Sequence, residues 1–230
     1  MKKVLSIFVV ASMLSCALIG FNSCSSSKQK TPEQVRKETK KLSTAELNAK
    51  ATKAASSEAK KLKKAGWTTT PGALPIEKQL DKSYLMQYEY DDNGYQKYIM
   101  GEAMSIGENY DAAKVQALEL SKQNLVGQIQ SEMTALVENS VSNRQLTANQ
   151  AASVTSSVLA SKNLISQSLG RVIPVVEVYR LLKDTKNKEV LVRIAYNHEM
   201  AVEAAKKAIR SDLEAKGDKL HEQLDKVLGF

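Results

Sequence analysis

"RVIPVVEVYRLL", Arg171 to Leu182, and "EVLVRIAY", Glu189 to Tyr196, decide the fold class. Both runs are β-branched and apolar at consecutive positions, the composition of strands covered on both faces, and the polar link between them predicts that they pair. Pro174 lacks a ladder donor and predicts a strand start or a bulge at that point.

Upstream, "AAKVQALELSKQNLVGQIQSEMTALVENS" follows Asp111, and Val115, Leu118, Leu125, Ile129, Met133 and Leu136 recur at helical spacing. They predict a long amphipathic helix to about Val137. Thr147 and Gln150 stand at capping-box spacing ahead of Val154, Val158 and Ile165, which predicts a second helix. Downstream, a helix from His198 carries Val202, Ile209 and Leu213, and Leu220, Leu224 and Val227 continue the pattern past Gly217. The fold class expected is therefore α+β, a small antiparallel sheet packed against long helices.

"YLMQYEYDDNGYQKYIM", Tyr84 to Met100, surrounds Asn93-Gly94, two residues that tolerate positive φ, and predicts a β-hairpin. Five of the 8 tyrosines, Tyr84, Tyr88, Tyr90, Tyr95 and Tyr98, fall in it. Exposed rings there would stack on glycan or clasp a protein, and rings packed across the strands would only stabilise the hairpin. A calcium loop starting at Glu89 is excluded, because Met100 takes the place of the bidentate Glu.

The 230-residue chain carries a net charge of +8, but the 28–64 segment alone carries +8 and residues 65–230 carry −2. A nucleic-acid binder concentrates positive charge on its folded face, so nucleic acid is not an expected partner. Residues 24–64 read as a basic tether, solvated helix or flexible chain, with a helix expected from the capping-box spacing of Ser43 and Glu46 to Gly66. Helical, about 40 residues would span roughly 60 Å. The folded α+β domain with its C-terminal helix is expected over 65–230, opening near Trp67.

Lys2 and Lys3 precede an apolar run from Val4 to Gly20, the pattern of an export signal over residues 1–23. Phe21, Asn22, Ser23 and Cys24 resemble the bacterial lipoprotein box, in which a cysteine receives diacylglyceryl and becomes the first residue. The resemblance implies lipid attachment at Cys24, with palmitate-type acyl chains and a membrane anchor. Cys16 is the rival, but it would leave Ala17 to Phe21 as an apolar stub, whereas Cys24 leaves the solvated Ser25, Ser26, Ser27 and Lys28. No cysteine follows Cys24, so a chain beginning there holds no disulfide and no catalytic thiol. Ser25 is similar to the outer-membrane sorting pattern, and Ser26 to Lys30 hold no acidic cluster of the kind that accompanies surface export, which together imply a periplasm-facing outer-membrane location.

Trp67, Tyr98 to Ala103, Ala112, Ala113 and Ala117 with Asn124 and Leu125, Ser168 to Gly170, Val172 to Val178 and Val190 to Ile194 carry a further likeness. In the order strand, long helix, two strands, helix, they resemble the family of the twenty-kilodalton outer-membrane lipoprotein and related flagellar outer-membrane lipoproteins. The likeness spans roughly half the chain, and the Glu138 to Asn163 stretch departs from it. It implies an α+β domain used in envelope assembly or surface display, without catalysis.

The residues call for no cofactor and no metal. G-x-S-x-G, a phosphate-binding glycine loop and H-E-x-x-H are missing from the sequence. His198 and His221, the only histidines, read as surface or cap residues, and Asp91-Asp92 reads as a turn. The expectation is a non-catalytic envelope lipoprotein that makes contacts with envelope proteins or with itself. The alternative is a periplasmic binding module for peptidoglycan, or a regulator of a wall-synthesising enzyme. Exposure of the tyrosines separates the two, since buried rings favour assembly and exposed rings favour glycan.

Overall fold

The computed structural model describes residues 31–92, 94–143, 145–217 and 219–222. The export-signal run and Cys24 lie outside the described residues. Helices α1 (Pro32–Asn48), α2 (Lys53–Lys64) and α3 (Ile76–Gln87) precede strand β1 (Tyr98–Gly107). Helices α4 (Tyr110–Ser142), α5 (Ala148–Ala160) and α6 (Lys162–Ser168) follow, then β2 (Ile173–Leu181), β3 (Lys188–Asn197) and α7 (His198–Ala215). The fold is α+β, with the three strands forming one antiparallel sheet in the order β1-β3-β2.

β3 is the central strand, and its alternation sorts the two cores. Val190, Val192, Ile194 and Tyr196 point to the face covered by α4 to α7, while Leu191 and Ala195 point to the face under α2 and α3. The ladder shifts register between Pro174 and Val176, the irregularity that the proline predicts.

α4 ends at Ser142, one turn and more beyond the expected limit, and its packed stripe holds Leu125, Ile129 and Met133 as expected but runs on to small residues in place of Val115. Val115 is exposed, while Ala113, Ala117, Ser121, Leu125, Ile129, Met133 and Val137 are buried at a strict spacing of four. Small residues win at the start of the helix because β1 presents glycines there. A Cβ on Gly101 would lie 2.3 Å from the Ser121 carbonyl oxygen, and one on Gly107 would lie 2.9 Å from the Ala113 nitrogen. The Ser121 hydroxyl donates to the carbonyls of Ala117 and Val192, at 2.7 and 2.9 Å, which ties α4 to β3. Thr147 and Gln150 close the predicted capping box, but the helix that they open is interrupted at Ser161 and resumes as α6.

Two corrections concern residues 24–64. The helix expected from Ser43 starts instead at Pro32, where Thr31 and Gln34 exchange capping bonds of 3.0 and 3.3 Å, and it breaks before Thr52 caps α2. Two compact units divide after Asn48, and α2 is built into the second. Ala55 and Ala59 are fully enclosed against Trp67, Ile76, Leu80, Val176 and Val178. An alanine face that reads as solvated in sequence is a close-packing face here, with Lys53, Lys60, Lys61, Lys63 and Lys64 exposed on the other side.

Candidate functional site

The tyrosine-rich stretch divides among three elements, which corrects the expectation of one continuous hairpin. Tyr84 lies on α3 and Tyr88 is its C-terminal cap residue. The hairpin is confined to a single bridge between Tyr90 and Gln96, closed by hydrogen bonds from Asp91 N to Tyr95 O, 2.8 Å, and from Gly94 N to Asp91 O, 3.0 Å. Gly94 has φ +82°, the left-handed value that the Asn-Gly pair anticipates. Tyr98 opens β1 opposite Asn197.

Their environments differ as much as their elements. Tyr84 is half-buried, and its hydroxyl bonds the Glu58 carboxylate, joining α3 to α2. Tyr98 is half-buried against Met86, Val175 and Ala195. Tyr88, Tyr90 and Tyr95 are exposed, at 66%, 54% and 66%. Three of the five therefore present rings to solvent, and two hold the fold together.

Burial, then the Glu58 hydrogen bond and charge, push the Tyr84 phenol up to about 12. Because this pKa is raised above the value of about 10 for an unfolded tyrosine, its contribution to stability is full below about pH 10. It is lost as the pH rises toward about 12. Tyr84→Phe is expected to flatten the alkaline decline of the unfolding midpoint across that window and to remove one late-titrating phenol from the phenolate absorbance curve. An unchanged alkaline decline would refute the Tyr84–Glu58 coupling.

Tyr95, Gln96 and Tyr98 wall a surface cleft of about 390 Å³ that Gln87, Gln128, Glu132 and His198 complete. The register that sets Tyr98 against Asn197 fixes the geometry, since Asn197 caps α7 and places His198 on its first turn. The His198 backbone N–H donates to Lys97 O at 2.9 Å, and its ring Nε2 lies 2.7 Å from Glu132 Oε1 on α4. A second depression of about 260 Å³, lined by Tyr90, Asp91, Asp92 and Lys97, shares Gln96 and His198 with the first. His198 thus stands between two clefts and is more than the helix-cap residue expected from the sequence. Its partner is 66 positions away, and only the β1-β3 register and the length of α4 bring the pair together. The side chain of His221 lies outside the described residues.

Gln128 Nε2 donates to the Met100 carbonyl at 2.7 Å and Gln96 Nε2 to the Gln87 carbonyl at 3.4 Å. These bonds fix two of the cleft-lining amides by their nitrogens. Phenol rings, amide groups and an imidazole–carboxylate pair give a cleft with apolar faces and several directional polar groups, the balance that binds small polar ligands. Among the described residues, no group of three or more His, Cys, Asp or Glu is arranged to hold a metal ion, and no helix is long and apolar enough to cross a membrane. Comparisons with protein-family models, curated proteins and solved structures find no match to the chain.

Proposed function

We propose that this chain is an envelope lipoprotein, anchored through acylated Cys24 in the outer membrane and facing the periplasm, whose folded unit is a non-catalytic binding module for wall glycan. The observation that carries the reading is the exposure of Tyr88, Tyr90 and Tyr95, of which Tyr95 walls the cleft of Gln87, Gln96, Gln128 and the His198–Glu132 pair and Tyr90 lines the adjoining depression. Exposed phenol rings offer flat apolar faces to the C–H faces of a sugar, and the amides and carboxylate offer bonds to its hydroxyl and acetamido groups. The resemblance to outer-membrane lipoproteins agrees with this placement in the envelope.

The test is co-sedimentation of the full chain carrying Cys24→Ser with purified peptidoglycan at low and at raised salt. Binding is expected to survive the salt, and Tyr95→Ala is expected to weaken it about fivefold or more, as loss of an aromatic anchor does. Pelleting that salt abolishes and that ignores Tyr95→Ala would assign the effect to the lysines of α1 and α2 and overturn the glycan reading.

A further inference from the structure

β1 is an edge strand, and α4 guards its outer rim unevenly. Asn124 Nδ2 donates to the Glu102 carbonyl and Gln128 Nε2 to the Met100 carbonyl, each at 2.7 Å, so these backbone groups point away from β3. Alternate residues of a strand direct their backbone groups to the same side, so Met104 and Ile106 point outward as well. The helix row that supplies the two amides continues toward its N-terminus through Leu120 and Gln116, at the same spacing of four. Leu120 has no group to offer, and Gln116 is turned inward by the Ser105 hydroxyl, which donates to its Oε1 at 2.5 Å. Among the described residues, nothing hydrogen-bonds the outward groups of Met104 and Ile106.

The opposite edge is covered at Tyr179 and Glu177. Thr68 exchanges both backbone bonds with Tyr179 of β2, at 2.8 and 2.9 Å, and Glu177 N donates to Gln79 Oε1 at 2.6 Å. The open rim is also apolar, with Met104 at 54%, Ile106 at 51% and Leu120 at 37% exposure. It has no lysine, proline or bulge between Met104 and Ile106, the devices that ordinarily keep edges apart.

We propose that β1 pairs antiparallel with β1 of a second copy of this chain, joining two sheets into one of six strands. Only an extended backbone satisfies alternating outward N–H and C=O groups. β1 leaves two successive outward positions open, so the same edge of a second copy supplies the matching element. A two-fold axis at Ser105 makes the edge its own complement, since it sets the open groups of Met104 opposite those of Ile106 in the second copy and brings uncharged side chains together. The nearest charge on that face, Glu102, is already neutralised by Arg193, whose Nε lies 2.6 Å from Glu102 Oε2. Leu120 flanks the seam. The inference is independent of the glycan reading, because the seam and the cleft have no residue in common.

The experiment is sedimentation equilibrium of the full chain with Cys16→Ser and Cys24→Ser. A dimer is expected with a dissociation constant of tens of micromolar, roughly what a small, single-strand interface supports. Met104→Lys is expected to weaken it about tenfold or more, with helix content unchanged because the side chain is exposed, as edge charges do. Leu181→Lys on β2, also exposed, is expected to leave it intact. Met104→Cys and Ile106→Cys chains, each with that thiol alone, are expected to form a mixed disulfide dimer when combined and oxidised, since paired strands place opposing Cα atoms about 5.5 Å apart. A chain that stays monomeric at every concentration, or a dimer that survives Met104→Lys, overturns the proposal.

Discussion

Gly101→Ala is expected to destabilise the second unit by about 3 kcal/mol or more, the upper range for forcing atoms into a packed site. The added methyl carbon would sit 2.3 Å from the Ser121 carbonyl oxygen and 3.0 Å from Leu125 Cβ. The oxygen belongs to the helix backbone, so no rotamer change relieves the contact. α4 must instead move off β1, and with it the bond from the Ser121 hydroxyl to Val192 O. In a unit of this size the melting temperature should fall by about 6–12 °C, measured by circular dichroism. Gly127→Ala supplies the opposite sign. Nothing lies within 4 Å of its added methyl, and in the middle of α4 alanine is expected to stabilise by about 0.5–1 kcal/mol. Equal effects at the two glycines would contradict the close approach of α4 to β1.

Trp67→Ala is expected to cost about 3–5 kcal/mol and to free α2. Trp67 is 6% exposed in the cluster that also holds Ala55 and Ala59, and the Arg180 guanidinium lies 4.8 Å from its ring centroid. α2 has only a small-residue face with which to hold on, so removing the indole takes away most of the surface that it packs against. Urea unfolding would give the energy, and limited trypsin digestion would show cleavage at Lys60 to Lys64 quickening in the variant. If those lysines are cut equally fast in the parent chain, α2 is not built into the unit in solution.

The strands of the pair at residues 173–197 were legible because a run of valines and isoleucines between polar turns has few other uses. The capping box at Thr147 was equally clear, since its chemistry is local. The tyrosine stretch misled because aromatic residues suit strands and buried helix faces alike. Tyr84 was resolved toward helix by Ile76, Leu80 and Ser83, which pack beneath α3. The alanines of α2 looked inert for a related reason. Their value lies in how near they let a partner approach, and no hydropathy pattern records the partner.

The sequence by itself determined the α+β class, the paired strands β2 and β3 and the helices α4, α5 and α7, because periodicity and capping act over a few neighbouring residues. Only the tertiary structure decided that α2 belongs to the folded unit, that His198 meets Glu132, that Tyr95 and Tyr98 wall a cleft while Tyr84 is bonded to α2, and that Leu120 leaves the rim of β1 open. Each of these depends on residues far apart in the chain meeting at a distance of a few ångströms. Strand register, helix length and the space that a glycine leaves fix such meetings, and local sequence pattern does not encode them.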